Sequence, residues 1–446
     1  MLLSFMVMKS TKTNKLWKKA EKIIPGGNGL LSKRPDRYAP DIWPTYFKSC
    51  SGVNVIALNN KKYIDMAQMG IGSSILGYAN DELNDYVNSI IKGGINCTLN
   101  SLEEVSFAEK LLELNPFAGG VKFAKTGGEA MAIAVRIARA YTGKVKVLFS
   151  GYHGWNDWYL AANIKSPGSL DNHLLPGLEP EGVPPGLANT VIPFKYDDIE
   201  DFERVYANNK DCGIICIEGA RYDYPDKKFL KKIMSIAKKN NLIIISDEIT
   251  SGWRVTNGGV YKINNFKPDI VVYGKALGGG FAISAVVGKK NIMNSATNTF
   301  ISSTMWTERV GLAAGLKTVE IITRDKVWKN LIKIGKLISN GWKNLSQKYE
   351  LDISISNFEP LVTMRFNYRE KNQEIITLFI QEMLHRGYLA STSVYVSNAH
   401  TKEIIEEYLE NVDEVFKLIS LAIKKNNFKK LLKTSIRSDS FKRLTK

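Results

Sequence analysis

Residues 241–288 read NLIIISDEITSGWRVTNGGVYKINNFKPDIVVYGKALGGGFAISAVVG, and this stretch decides the fold. Its first apolar run, LIIIS, has the length and β-branched composition of a buried strand and ends in Asp247 and Glu248. A second run, DIVVY, ends in Gly274 and Lys275, and three more glycines follow shortly after. Because sheets of this kind bind ligands at the carboxyl ends of their strands, we expect an acid and an amine to meet in one crevice.

One cofactor uses both groups. Pyridoxal 5'-phosphate (PLP) forms a Schiff base with a lysine and places its pyridinium nitrogen opposite an acid. Most lysines are solvated surface charges, and an aspartate after a strand can be a helix cap. Lys275, however, lies between IVVYG and ALGGG, where a lysine does not easily reach water. The pair of Lys275 and Asp247 therefore favours the cofactor over either ordinary role.

The composition is that of a globular protein of two or three domain-sized units, with 446 residues, 44% hydrophobic and 24% charged. Of the net charge of +17, residues 1–22 and 424–446 together contribute thirteen, so the body of the chain is nearly neutral. No nucleic-acid-binding motif accompanies these charges. We expect solvated, partly disordered basic ends and no nucleic-acid partner.

Cysteine and histidine spacing excludes the common metal sites. The four cysteines form no CxxC pair and the four histidines no HxxxH, so we expect core thiols in a reducing cytoplasm and no metal. The apolar start, MLLSFMVM, precedes its lysines, which is the reverse of a signal peptide, and no stretch has the length to cross a bilayer. The sequence predicts a cytoplasmic protein without a membrane partner.

A second chemical signal opens the helix pattern of FAKTGGEAMAIAVRIARAYTG, at Thr126, Gly127 and Gly128. Glycines at a helix N-terminus let backbone N–H groups approach an anion, and the helix dipole favours a phosphate there. Thr126 could equally be an ordinary helix cap. In combination with the lysine and the aspartate, we expect this turn to be a phosphate cradle.

Three further residues are placed to contact a flat ring. Tyr152 and His153 lie between glycines in GYHG, so we expect a turn to present them rather than a packed element. Tyr152 could cover one face of the ring and Ile249 the other, although ordinary core packing explains Ile249 equally well. Residues 165–192, with five prolines and four glycines, predict an irregular loop over the site.

Strand and helix patterns alternate from Val121 to Gly288, which predicts an α/β fold with a mainly parallel sheet between helices. A β-hairpin pattern, SGVNVIALNNKKYIDM, precedes this region, and mixed helices and short strands follow it. The expected units are a basic segment (1–22), a large cofactor-binding domain (67–324), a smaller α+β domain from both chain ends (23–66 and 325–423), and a basic tail (424–446).

The chain resembles class III (fold type I) PLP-dependent aminotransferases and is similar to their glutamate-1-semialdehyde 2,1-aminomutase branch. The motifs that carry the resemblance are IIPGG, NNKKYIDM, KTGGEAMAIAVRIARAYTG, GYHG, SDEITSGWRV, KPDIVVYGKALGGG, SSTMWTER and SNAHT, in this order. An ordered series is far more specific than any single motif. It implies a large domain with a seven-stranded, mostly parallel sheet.

The resemblance also implies a role for each matched residue. Lys275 would form the Schiff base, and Asp247 would face the pyridinium nitrogen. The remaining cofactor contacts would come from Thr126, Gly127, Gly128, Tyr152, His153, Glu218 and Ile249. Thr304 would reach the phosphate of a neighbouring subunit, which implies a homodimer.

Departures from the family pattern bear on the substrate. Gly128 stands where the family has a hydroxyl residue, and Glu218 is followed by glycine rather than proline. The C-terminal arginine that many class III members use for an α-carboxylate is not evident in SVYVSNAHT. Lys33 or Arg34 would be the equivalent of the arginine that binds the substrate carboxylate in the aminomutase.

Tryptophans could also contact the substrate. Trp43 and Trp155, like Trp253 and Trp306, lie in loop-like motifs, where they could stack on a sugar ring or simply build core and interface.

The implied activity is transfer of an amino group from a small-molecule donor to a carbonyl acceptor, through an aldimine and a ketimine at Lys275. An intramolecular 2,1-aminomutase, which needs no external donor, is the alternative. A non-catalytic relative is less favoured because Lys275 and Asp247 are intact, and a nicotinamide dehydrogenase lacks the GxGxxG that it needs after its first strand.

Overall fold

The N-terminal part of the chain forms a helix and an antiparallel meander. The computed structural model describes residues 12–171, 173 and 176–439, so parts of the predicted basic ends (1–11 and 440–446) lie outside the described residues. The first elements are α1 (Lys12–Ile23), β1 (Phe47–Ser51), β2 (Asn54–Ala57) and β3 (Lys62–Met66). Strands β2 and β3 pair antiparallel across a tight turn at residues 58–60, as the hairpin pattern predicts.

The central part of the chain alternates helices and strands. Its elements are α2 (Asp81–Lys92), α3 (Leu102–Leu114), β4 (Gly120–Ala124), α4 (Gly127–Thr142), β5 (Val147–Ser150), α5 (Asp157–Leu160), β6 (Val191–Pro193), α6 (Ile199–Ala207), β7 (Ile214–Glu218), α7 (Lys227–Asn240), β8 (Ile243–Asp247), β9 (Ile270–Tyr273), β10 (Ser284–Gly288), α8 (Lys290–Met293) and α9 (Arg309–Asp325). The loop between α5 and β6 is made of turns and two short 3₁₀ helices, as its prolines and glycines predict.

Seven of these strands form one sheet in the order β4-β10-β9-β8-β7-β5-β6. Pairing is parallel from β9 to β6, and β10 is antiparallel to both of its neighbours. Every residue of β5, β7, β8, β9 and β10 is buried, because helices cover both faces and the strands are apolar throughout. The predicted α/β fold with a mostly parallel seven-stranded sheet is confirmed.

The C-terminal part of the chain packs with the N-terminal meander. Its elements are α10 (Val327–Lys348), β11 (Ile353–Ile355), β12 (Leu361–Phe366), α11 (Asn372–His385), β13 (Tyr388–Ala390), β14 (Ser393–Tyr395), α12 (Lys402–Lys425) and α13 (Phe428–Leu431). Strand β13 joins β3 in parallel, and β11, β12 and β14 form a separate antiparallel sheet. Among the described residues, no helix is long and apolar enough to cross a membrane.

The C-terminal segment after α12 is not the solvated tail that its charge predicts. Phe428 is buried in the core, and the backbone N–H of Ser438 donates to the carbonyl of Asp36 at 2.8 Å. Arg437 donates through Nε to the carbonyl of Arg37 at 2.9 Å, and burial lowers its pKa to about 10. The expected disorder was therefore wrong up to residue 439, because charge counts do not reveal backbone partners, whereas Lys429, Lys430 and Lys433 are exposed as expected.

Helix α10 lies unusually close to the loop before β12. A Cβ atom added at Gly335 would lie 2.0 Å from the backbone oxygen of Glu359. Only glycine permits this approach, because the atom in the way belongs to the backbone and cannot swing aside.

We therefore expect Gly335→Ala to destabilise the fold by about 1–3 kcal/mol, the usual cost of overpacking. The midpoint of thermal or urea unfolding measures the effect. The matched control is Gly186→Ala, because Gly186 lies in a short surface helix and has no atom within 4 Å of its would-be Cβ. Equal midpoints for the two variants would contradict the close approach.

Candidate active site

The strand register brings two acids and a lysine to one end of the large sheet. Glu218, the last residue of β7, pairs with Asp247, the last residue of β8. Asp247 pairs in turn with Val272 in β9, and the chain then passes through Gly274 to Lys275. Because these strands are parallel, all three side chains lie at their carboxyl ends, as the sequence predicts.

Lys275 is held with its amine against Thr250. Its Nζ donates to Thr250 Oγ1 at 2.8 Å, and its backbone has a φ of +43°, in the left-handed region. Such a conformation costs a residue with a side chain on the order of 1–3 kcal/mol and is typical of functional sites. Burial and the guanidinium of Arg221 lower the pKa of Lys275 to about 7, although Asp247 and Glu218 oppose them. Near neutral pH this amine can therefore gain or lose a proton.

Asp247 is paired with His153. His153 Nδ1 lies 2.8 Å from Asp247 Oδ2, and its Nε2 lies 3.2 Å from the carbonyl oxygen of Ser150. A carbonyl can only accept, so both ring nitrogens act as donors and the imidazole carries a charge. Burial alone would lower the pKa of His153, but Cys216 and Asp247 raise it well above its ordinary value. His153 is thus packed inward and buried, which corrects the expectation that a turn presents it.

Glu218 is paired with Arg221, a residue that sequence analysis missed. Arg221 donates through Nε at 3.0 and 3.1 Å and through Nη2 at 2.6 Å to the Glu218 carboxylate. The same carboxylate accepts from the backbone N–H of Tyr152 at 3.0 Å. Burial would raise the pKa of Glu218, but Arg221 holds it below its ordinary value. The guanidinium also lies over the Tyr152 ring, 5.7 Å from its centroid.

The predicted phosphate cradle begins helix α4, with Thr126 as its cap. The Thr126 hydroxyl accepts from the backbone N–H of Glu129, and the Glu129 carboxylate accepts from the N–H of Thr126 at 2.9 Å. The N–H groups of Gly127 and Gly128 have no acceptor within the helix, since they belong to its first turn. They are therefore the donors that the helix start offers to an anion.

Neighbouring side chains explain why both positions of the cradle are glycine. A Cβ at Gly127 would lie 2.9 Å from Ile249 Cδ1, and a Cβ at Gly128 would lie 2.8 Å from Asn156 Oδ1. Asn156 Oδ1 is buried and has no donor partner among the described residues. Ile249 also lies beside Gly274, so one side chain connects the cradle with the turn that carries the lysine.

The structure does not bring all predicted substrate contacts to this cluster. Lys33 is exposed, and Arg34 pairs with Asp36 at 3.2 Å. Trp43 is buried and stacks on Tyr38, with ring centroids 4.1 Å apart. Among the residues that the structure describes, none of the contacts of these three reaches Lys275.

Two other predicted residues lie in exposed positions. Trp155 is 71% exposed, beside the cradle, with its Nε1 3.5 Å from a would-be Cβ at Gly128. Thr304 begins an exposed 3₁₀ turn, Thr304–Thr307. These positions leave Trp155 accessible to a ligand and Thr304 accessible to another chain.

One protein family and several of its relatives match most of this chain. The model of the family described as aminotransferase class-III matches residues 39–415. The 3-aminobutyryl-CoA aminotransferase of Cloacimonas acidaminovorans is 29% identical over 92% of this chain and 99% of its own. The glutamate-1-semialdehyde 2,1-aminomutase of Ruminiclostridium cellulolyticum is 28% identical over 90% of this chain and 96% of its own.

Solved structures show the same fold. The PLP internal aldimine form of the FumI protein from a Sphingopyxis species superposes with a TM-score of 0.83 at 21% identity, covering 95% of this chain and 98% of its own. An omega-transaminase from Sphaerobacter thermophilus superposes with a TM-score of 0.82 at 20% identity, covering 92% and 98%.

The pKa of Lys275 predicts how PLP uptake depends on pH. Only the neutral amine attacks an aldehyde, so the rate of uptake by cofactor-free protein should rise about tenfold per pH unit below pH 7 and level off above it. Stopped-flow absorbance after addition of PLP measures this rate. The control is N-acetyl-lysine amide, whose rate should keep rising towards the ordinary pKa of 10.5. A protein profile that follows the control would contradict the lowered pKa.

Proposed function

Since the chain belongs to the class-III aminotransferase family, we propose that it transfers an amino group from a small amino donor to a carbonyl acceptor, with PLP held on Lys275. The observation that carries this proposal is the junction of Lys275, Asp247 and the Gly127 turn at one end of the sheet. PLP supplies an electron sink for the reacting carbon of the substrate when it is bound.

The residues around Lys275 fit this cofactor. The amides of Gly127 and Gly128 would hold its phosphate, and the buried Asn156 Oδ1 without a donor lies beside them. Tyr152 and Ile249 would lie on opposite faces of the ring. The position of Ile249 against both the cradle and the lysine turn supports its part in this assignment.

Two proton positions follow from the electrostatics. Asp247 would hold a proton on the ring nitrogen, and His153 Nδ1, 2.8 Å from Asp247 Oδ2, keeps the carboxylate in position for this role. Lys275 Nζ would accept and donate the proton at the reacting carbon of the substrate. Its pKa of about 7 suits both acceptance and donation of that proton near neutral pH.

We expect Lys275→Ala to lack the visible absorbance that PLP gives the wild-type protein after gel filtration. We expect Asp247→Asn to keep this absorbance but to react with amino donors on the order of 100-fold more slowly, because the ring proton loses its charged partner. The measurement is the spectral change of the bound cofactor as donors are added one at a time. A wild-type protein that takes up no PLP would reject the proposal.

An intramolecular aminomutase is the second candidate, favoured by the relatives that carry this name at 27–28% identity. An assay with cofactor-loaded protein distinguishes the aminotransferase from the aminomutase. Protein loaded with the amine form of the cofactor and given glutamate-1-semialdehyde, without any donor, should form no 5-aminolevulinate if it is an aminotransferase. Formation of that product would establish the mutase.

We also propose that the protein is a cytoplasmic homodimer. Apolar side chains are exposed in two adjacent segments, namely Leu99, Leu102, Phe300 and Met305. The segments are joined by a bidentate ion pair between Glu103 and Arg309, with both contacts at 2.8 Å. Exposed apolar patches of this kind mark interfaces, and Thr304 lies within this one, where it could reach the phosphate of a second subunit. The buried, unpaired Cys212 and Cys216 suit a reducing compartment.

The dimer proposal predicts different effects for two neighbouring substitutions. Phe300 is 91% exposed and would be buried in the dimer interface. Phe300→Asp should therefore produce monomers, because the interface would bury the charge of the aspartate. Thr304→Ala should remain dimeric but bind PLP about tenfold more weakly, as expected for one lost hydrogen bond to a charged group. Light scattering and a fluorescence titration with PLP measure the two effects. A monomeric wild-type protein would contradict the dimer. A PLP affinity of Thr304→Ala equal to that of the wild type would contradict the contact of Thr304 with the phosphate.

A further inference from the structure

The guanidinium of Arg221 is fixed along one edge only. Glu218 binds the edge formed by Nε and Nη2, and Thr250 Oγ1 lies 3.5 Å from Nη2. The Tyr152 ring lies below the guanidinium plane, so three neighbours hold the side chain in one position. A guanidinium held in this way loses little freedom when it binds a further anion.

The opposite edge of the guanidinium is open. Within the described chain, Nη1 of Arg221 contacts no acceptor, and the side chain lines a cavity of about 620 Å³ together with Gly151, His173, Tyr222 and Arg365. The Arg221 side chain is 13% exposed, so a ligand in this cavity can reach it. Both N–H groups of Nη1 are without an acceptor in the described chain, and the second N–H of Nη2 makes only the 3.5 Å contact with Thr250. A carboxylate that replaces this contact can therefore bind Nη1 and Nη2 bidentately.

Arg221 is also close to the reactive amine. Thr250 Oγ1 accepts from Lys275 Nζ at 2.8 Å and from Arg221 Nη2 at 3.5 Å. The distance between Lys275 Nζ and Arg221 Nη2 therefore cannot exceed the sum of these two distances. A small molecule that offers an amine-bearing carbon to Lys275 can reach Arg221 only with a group one or two carbons away.

The charges around Lys275 favour an anion. Two guanidiniums, Arg221 and Arg254, and two carboxylates, Asp247 and Glu218, act on its amine. Asp247 already has His153 as its partner, and Glu218 has Arg221. Arg254 is completely buried and donates to the backbone carbonyls of Thr250 and Gly72, so no carboxylate among the described residues offsets its charge. The site has a surplus of positive charge that an anionic substrate would balance.

We propose that Arg221 binds the carboxylate of the amino donor, and that the donor is an amino acid whose carboxylate lies one or two carbons from the amine-bearing carbon. This inference rests on the proposed function. Arg221 thereby determines specificity, because a simple amine lacks the group that the open edge binds.

The test compares amino acids with an amine of similar size. The PLP-loaded wild-type protein is mixed with L-alanine, β-alanine or ethylamine, and the spectral change of the cofactor gives a rate constant at each concentration. We expect at least one amino acid to react about 10- to 100-fold more efficiently than ethylamine, the range for a charge-assisted hydrogen-bonded pair. Calorimetric binding of propionate, which has no amine, gives a second readout that does not depend on turnover.

Three variants test whether Arg221 causes the preference for the amino acid and the binding of propionate. Arg221→Gln should lose the preference for the amino acid and the binding of propionate. Because Arg221 also lowers the pKa of Lys275, the preference is measured against ethylamine in the same variant, so that a general change of rate cancels. Arg221→Lys keeps the charge without the bidentate edge and should retain part of both effects. Arg365→Gln is the matched control, because Arg365 lines the same cavity and lies over the Tyr222 ring at 4.9 Å. It should keep the full preference.

The outcomes distinguish this inference from the proposed function. Reaction with ethylamine but no advantage for either amino acid, or an advantage that survives in Arg221→Gln, would overturn the role of Arg221 and leave the aminotransferase intact. Loss of the preference in Arg365→Gln instead would move the carboxylate site to Arg365. A protein that binds PLP but reacts with no amine or amino acid would contradict the aminotransferase itself. If Arg221→Gln fails to fold, Arg221→Lys should still show a reduced preference and weaker binding of propionate, and a full preference in that variant would overturn the role of Arg221.

Discussion

Backbone hydrogen bonds between three parallel strands, β7, β8 and β9, fix which side chains meet at the end of the large sheet. Their register sets Glu218 beside Asp247, and Lys275 follows three residues after the next partner, Val272. A slip of one residue would turn every side chain of the slipped strand to the opposite face. The strands are buried on both faces, so such a slip would also change the packing of helices on either side. The chemistry of the site therefore depends on pairings formed far inside the sheet.

Asp247 and Glu218 each have a cation supplied by a different loop. His153 comes from the loop after β5 and binds Asp247, and Arg221 comes from the loop after β7 and binds Glu218. Because both acids are already matched, neither forms an ion pair with Lys275, whose amine rests on a neutral hydroxyl instead. The lowered pKa of Lys275 follows from this distribution as well as from burial. Side chains that do not react thus set the protonation of the one that does.

Much of this arrangement could be predicted from local sequence patterns. Hydrophobic periodicity, and the glycines and prolines that interrupt it, predict the sheet, the buried strands ending in Glu218 and Asp247, and the glycine turn at Gly127. The partners could not be predicted, since His153 reaches Asp247 across 94 positions and nothing in GYHG indicates an inward-facing ring. Arg221 sits only three positions after Glu218, and an arginine just beyond a strand end was the signal that could have identified it. The packing of the C-terminal residues against the fold could not be predicted either, because charge counts do not reveal backbone contacts.

The bonds that join Ser438 and Arg437 to the backbone of Asp36 and Arg37 constrain the order in which the protein can be built. The large sheet uses residues 120–288 and has all its strands once the ribosome has passed them. The sheet that combines β1–β3 with β13, and the contacts of the last described residues, must wait until synthesis is nearly finished. During translation one edge of β3 therefore stays unpaired until β13 has been made, long after the large sheet has all its strands.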